Sequence, residues 1–171
     1  MRKIIYDIDP SFVPPWVERI GKAILNFSVI EFESYQWLVQ LTEQPEFIEK
    51  FTKDNFTKRV SWITKLVLER GFEKEWKIET NNLWARTLVM SQTRNRIAHN
   101  PLTYGWTIEP PTGEPDFIDI INMKKNNSFS IEQRLSKNDL DDFINQAVDI
   151  VKRLTILREH WCNLRDAQYD K

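Results

Sequence analysis

The first part of the chain has apolar residues at the three- and four-residue spacing of an amphipathic helix. After Pro14 and Pro15, these positions are Trp16, Ile20, Ala23, Ile24, Phe27, Ile30, Tyr35, Leu38 and Leu41. The pattern predicts a helix of about seven turns. Because Pro45 follows, we expect this helix to end near Thr42.

Two further helices are predicted before residue 101. The second has apolar residues at helical spacing, at Phe56, Val60, Ile63 and Val67. Gly71 is a natural C-terminal stop for it. The third runs from about Leu83 and must end near Asn100, because Pro101 disfavours helical geometry in the residue before it.

Residues 101–132 follow a different pattern. Tyr104, Trp106 and Ile108 alternate with smaller or polar residues, and the segment from Phe117 to Ile121 is mostly β-branched. Turn-forming residues occupy 110–115 and 124–127. We therefore predict a β-hairpin or a meander of two or three strands, which must pack on the helices to be stable.

A long fourth helix follows a capping box formed by Ser136 and Asp139. Its continuous apolar seam consists of Leu140, Phe143, Ala147, Ile150, Leu154, Leu157, Trp161 and Leu164. One interpretation is that the seam packs within the chain. The other is that a dimer interface is formed by part of the seam, or by Ile144, Val148 and Val151 beside it. The predicted fold is mainly α: a four-helix bundle that forms a single domain over 1–171, with a small β insert between the third and fourth helices.

Composition excludes several classes of protein. Hydrophobic residues make up 41% and aromatic residues 12%, which is incompatible with intrinsic disorder. One cysteine, Cys162, allows neither an internal disulfide nor a Cys-rich zinc site. The net charge of −1 requires any nucleic-acid binding to use a local basic patch. We found no apolar stretch of membrane-spanning length, and Asp7 and Asp9 interrupt any secretory signal, so we expect a cytoplasmic protein with no membrane association.

Candidate chemistry is concentrated at the end of the third helix. Asn95 and His99 are four residues apart and share a helix face, which continues the mostly apolar row Trp84, Leu88 and Ser91. Polar groups at the end of such a row predict a cleft there, because buried polar groups need partners or water. The guanidinium of Arg94 suits phosphate oxygens, and an imidazole moves protons near neutral pH. From spacing alone, it stays open that Arg94 and Arg96 are merely solvated and that His99 bonds a carbonyl.

The segment Arg94-Asn95-Arg96-Ile97-Ala98-His99-Asn100-Pro101 resembles the signature of the HEPN superfamily: an Arg with a polar neighbour and, a few residues later, a His. Phe27 and Glu31 match a second motif of that family in the first helix. The resemblance covers residues 16–100 and 136–165 and excludes the β insert. It implies a helical homodimer with both motifs facing a shared cleft. It also implies metal-independent RNA cleavage without a cofactor, often in toxin–antitoxin or antiviral systems, although some members only bind nucleotides or partners.

Three residues are predicted to support this site. Glu31 lies on the apolar stripe of the first helix and calls for a cationic partner, for which Arg94 is the candidate, or it lies at the edge of that stripe. Arg96 and Tyr104 are candidates for an RNA path, as a cation and a stacking ring. The leading hypothesis is therefore an endoribonuclease with Arg94, Asn95 and His99 as catalytic residues. The alternative is a non-catalytic helical dimer that binds a protein, such as an antitoxin, or a nucleotide.

Overall fold

The computed structural model describes residues 13–42, 49, 51–105, 115–123 and 129–169. Its long helices are α1 (Val13–Thr42), α2 (Phe56–Glu69), α3 (Lys74–His99) and α4 (Lys137–Tyr169). Its strands are β1 (Leu102–Gly105), β2 (Phe117–Met123) and β3 (Phe129–Ser136), which lie between α3 and α4. The predicted mainly helical fold with a small sheet between the third and fourth helices is confirmed.

The chain divides into two compact units. Unit 1 contains the described residues within Met1–Leu25 and Thr93–Ile144, and unit 2 those within Asn26–Gln92 and Asn145–Lys171. The end of α3 and the whole sheet belong to unit 1. Whether the chain is a single domain stays a prediction.

Helix α3 begins at Lys74, nine residues before the predicted start at Leu83. Its first turns are mostly Lys, Glu, Thr and Asn, which allow a helix but show little apolar periodicity. Thr80 is fully buried in this part of α3. A polar residue therefore occupies a core position there, and the hydrophobic pattern does not show the helix.

Unit 2 has an aromatic core. The ring of Trp37 packs edge-on against Trp84, with centroids 6.3 Å apart, and stacks on Phe72 at 6.2 Å. Phe72 in turn stacks on Trp161 of α4 at 4.3 Å. Aromatic pairs of this kind add to the stabilisation from burial alone. They hold α1, α3 and α4 together within this unit.

The sheet of unit 1 is an antiparallel meander in the order β1-β2-β3. In the β2–β3 ladder Ile120 pairs with Gln133, whereas Ile121 pairs with Ile131. Glu132 is thus one extra residue in β3, which is the arrangement of a β-bulge. The predicted strand residues Trp106 and Ile108, most of the 110–115 turn and the whole 124–127 turn lie outside the described residues.

The capping box at the start of α4 is confirmed. The backbone N–H and the hydroxyl of Ser136 both donate to Asp139 Oδ2 at 2.7 Å, and Asp139 N–H donates to Ser136 Oγ at 3.2 Å.

Seven of the eight predicted seam residues of α4 are buried within the chain, and Leu164 is half-buried. The seam therefore packs intramolecularly. No helix among the described residues is long and apolar enough to cross a membrane.

Candidate functional site at the C-terminal end of α3

The motif residues Arg94, Asn95 and His99 occupy the last two turns of α3, and His99 is its final residue. The helix ends where predicted. The backbone N–H and the side-chain amide of Asn100 both donate to the carbonyl oxygen of Arg96, each at 3.1 Å. This satisfies a carbonyl that would otherwise lack a helical partner. The imidazole of His99 is exposed at the helix end.

Arg94 and Asn95 contact each other directly. The Arg94 NH1 group donates to Asn95 Oδ1 at 2.8 Å. Arg94 is half-buried, whereas Asn95 is exposed. Asn95 therefore orients the guanidinium of Arg94, and its catalytic role stays a prediction.

Arg96 bonds to strand β3. Its Nε lies 2.9 Å from Glu132 Oε1, and its NH1 donates to Gln133 Oε1 at 3.2 Å. Both partners come from the part of β3 that contains the bulge. In this arrangement the Glu132 carboxylate compensates the charge of the Arg96 guanidinium. That Arg96 contacts RNA stays a prediction, and it requires this ion pair to open.

Tyr104 lies in β1 and packs against α1. Its ring meets Trp16 edge-on with centroids 6.3 Å apart, and Lys137 Nζ lies 5.7 Å from the Trp16 ring centroid. Burial raises the pKa of the Tyr104 phenol above its ordinary value. The structure thus uses the Tyr104 ring for packing, and its role in stacking RNA bases stays a prediction.

Glu31 is half-buried on α1 in unit 2, whereas Arg94 belongs to unit 1. Their pairing stays a prediction. The buried carboxylate of α1 is Glu33, which is 6% exposed and accepts from Arg158 Nε at 3.1 Å. A sequence signal existed, because Glu33 lies in the helical row between Ile30 and Trp37, both fully buried.

Outside the motif, His160 and Cys162 both make side-chain contacts within unit 2. The His160 ring stacks on Trp76 at 3.7 Å, and Cys162 Sγ lies 3.4 Å from Gln40 Oε1. Within the described ranges, no three His, Cys, Asp or Glu side chains are grouped so that they could hold a metal ion.

The end of α3 thus combines three chemical elements. Arg94 supplies a guanidinium that a neighbouring amide orients, and such a group binds phosphate oxygens well. His99 supplies an exposed imidazole for proton transfer. Glu132, which sequence analysis missed, supplies a carboxylate to Arg96 from β3, a strand distant along the sequence.

No family model, curated protein or solved structure matches this chain.

Proposed function

We propose that this protein is a metal-independent endoribonuclease of the HEPN type, which acts as a homodimer in the cytoplasm in a toxin or antiviral defence context. The observation that carries the proposal is the end of α3. There a guanidinium held by Asn95 and an exposed imidazole occupy successive turns of one helix. Such a pair offers charge stabilisation and one proton-transfer group.

The proposed reaction is an internal transfer at phosphorus. The ribose 2′-oxygen attacks the adjacent phosphorus and loses its proton, while the bond from phosphorus to the 5′-oxygen breaks. The products are a 2′,3′-cyclic phosphate and a 5′-hydroxyl end. His99 accepts the first proton or donates one to the leaving oxygen, and Arg94 stabilises charge on the phosphoryl oxygens.

A homodimer supplies what one chain lacks. Proton transfer is needed at both the attacking and the leaving oxygen, and a single imidazole serves only one of them at a time. Two copies of His99 related by a two-fold axis provide both. We therefore propose that the α3 ends of two chains face one shared cleft.

The deciding experiment is cleavage of single-stranded RNA in EDTA. The wild type is expected to produce cyclic-phosphate ends, whereas His99→Ala and Arg94→Ala are each expected to lose at least about 100-fold in rate. His160→Gln is the matched control, because it removes the only other histidine and leaves the motif intact. No cleavage by the wild type, or equal cleavage by the wild type and His99→Ala, would rule out the catalytic proposal.

The alternative function is a non-catalytic dimer that binds a partner protein or a nucleotide. It is favoured by one face of α1 in unit 2, where Val29, Phe32 and Val39 are 44%, 57% and 38% exposed. These residues lie within one side of the helix, and exposed apolar clusters of this kind mark interaction surfaces. Stoichiometric co-purification of a partner, without cleavage or growth inhibition on expression, would favour this function.

A further inference from the structure

The bulge in β3 changes the direction of one carboxylate. In a regular strand, Glu132 and Gln133 would point to opposite faces of the sheet. Instead, both side chains bond to the guanidinium of Arg96, at 2.9 and 3.2 Å. An extra residue in a strand bends it locally and re-aims its side chains. The bulge therefore directs Glu132 to the helix that carries the motif.

Arg96 is the point at which the end of α3 is held. Its side chain bonds to β3, and its carbonyl oxygen accepts both hydrogen bonds from Asn100. One residue further on, the carbonyl oxygen of Pro101 accepts from the backbone N–H of Ile121 in β2 at 2.9 Å. The sheet thus fixes this helix end through a side chain and through the backbone.

The position of Arg96 along α3 makes this contact relevant to the motif. Arg96 follows Arg94 by two residues and precedes His99 by three. A helix end frays unless its last turn is held, and a displacement of about 1 Å at a reacting group can cost 100-fold in rate. Whatever fixes Arg96 therefore fixes the turn from which His99 projects.

We propose that Glu132 is a positioning residue, which acts through Arg96 to orient Arg94 and His99 and also withholds Arg96 from the RNA backbone. This role rests on the proposed ribonuclease function. The ion pair is partly shielded from solvent, with 37% of the Arg96 side chain and 27% of the Glu132 side chain exposed. If the pair is lost, the positive charge of Arg96 is no longer compensated by the Glu132 carboxylate. That charge binds substrate and transition state alike, so it tightens binding without raising the rate.

This double role predicts an unusual kinetic signature for Glu132→Gln. We expect kcat to fall about 10-fold because the last turn of α3 loosens. We expect KM to fall about 3-fold because the released Arg96 contacts a phosphate. Arg96→Gln should lower kcat to a similar extent without lowering KM. Glu18→Gln, which removes an exposed ion pair with Lys22 in the same unit, should change neither constant.

Two results would overturn the proposal. One is an unchanged kcat in Glu132→Gln. The other is a lower kcat accompanied by a higher KM, which indicates general loss of structure at the site.

A second measurement does not depend on catalysis. The chain has only two histidines, His99 in unit 1 and His160 in unit 2, so their ring signals can be assigned by NMR with His160→Gln. Glu132→Gln should shift the His99 signals and leave those of His160 in place. Unshifted His99 signals, or equal shifts of both rings, would refute the positioning role. If the wild type cleaves no RNA, the proposed function fails, and this measurement still decides whether Glu132 positions His99.

Discussion

Glu33 on α1 accepts hydrogen bonds from Arg158 on α4 at the edge of the unit 2 core. Arg158 Nε lies 3.1 Å from Oε2, and NH2 lies 3.4 Å from Oε1. The side chains are only 8% and 17% exposed. The Thr155 hydroxyl lies 3.4 Å from the same carboxylate. A pair so shielded from water is sensitive to the loss of either partner, because the remaining charge is then buried alone.

Replacing Glu33 with Ala should therefore lower the free energy of unfolding by about 3 kcal/mol. Chemical denaturation followed by circular dichroism measures this change. Glu69→Ala is the control, because its ion pair with Lys65 is more than half exposed and should contribute less than about 1 kcal/mol. Similar losses in the two variants would contradict the view that Glu33 is a buried charge with a specific partner.

Asn95→Ala should lower kcat/KM for RNA cleavage about 10-fold, because Arg94 loses an acceptor that helps to orient its guanidinium. Asn95→Asp keeps an oxygen at that position and should retain more activity than Asn95→Ala. Initial rates at subsaturating RNA concentrations give the comparison. If the alanine variant cleaves at the wild-type rate, the contact between Arg94 and Asn95 has no role in the reaction.

Two glycine substitutions should act in opposite directions. A Cβ on Gly105 would overlap the ring of Phe117, and the Arg134 guanidinium lies over that ring at 3.6 Å from its centroid. Gly105→Ala should therefore cost about 2 kcal/mol of stability. A Cβ on Gly21 in α1 meets no atom within 4 Å, so Gly21→Ala should add about 0.5–1 kcal/mol through helix propensity. Thermal unfolding of both variants measures the difference, and the same sign for both would contradict the packing around Gly105.

The capping box should make stability depend on pH. Hydrogen bonds from the Ser136 side chain and backbone hold the pKa of Asp139 below its ordinary value of about 4. The stabilisation is therefore fully present above that ordinary value, and it is lost as pH falls through the lower pKa of the folded state. Asp139→Asn should lower the free energy of unfolding by about 0.5 kcal/mol at pH 7, since the carboxylate is solvent-exposed. The deficit should shrink in denaturation curves recorded at progressively lower pH, and a deficit independent of pH would exclude this origin.

Phe32→Asp should separate the proposed dimer into monomers if the exposed face of α1 lies in the interface. The side chain is 57% exposed, so its replacement should change the stability of the chain itself by less than about 0.5 kcal/mol. Sedimentation velocity measures the oligomeric state. Leu68→Asp on α2 is a matched control because Leu68 is 56% exposed and lies on a different helix. Identical sedimentation of the wild type and Phe32→Asp would place any dimer interface elsewhere.

The local pattern of apolar and polar residues was sufficient to predict most of the helices and strands. It was insufficient where a polar residue is buried. The periodic apolar residues of α4 and its capping box identified that helix because both signals act over three or four residues. The start of α3 was wrong by nine residues because Thr80, a polar residue, is buried there. The apolar pattern of α1 indicated Glu31 as the charged residue on its buried stripe, whereas Glu33 is the more deeply buried carboxylate.

The amino-acid sequence alone therefore determines local features. It shows which segments are helical, where they are capped, and that Arg94, Asn95 and His99 share the end of one helix. Three-dimensional packing alone decides which partner meets each charge. Arg96 bonds to Gln133, 37 positions away, and Glu33 bonds to Arg158, 125 positions away. Helical and strand periods specify a face but not the element opposite it. The direction of Glu132 depends further on a single bulged residue, and no repeating pattern in the chain predicts that irregularity.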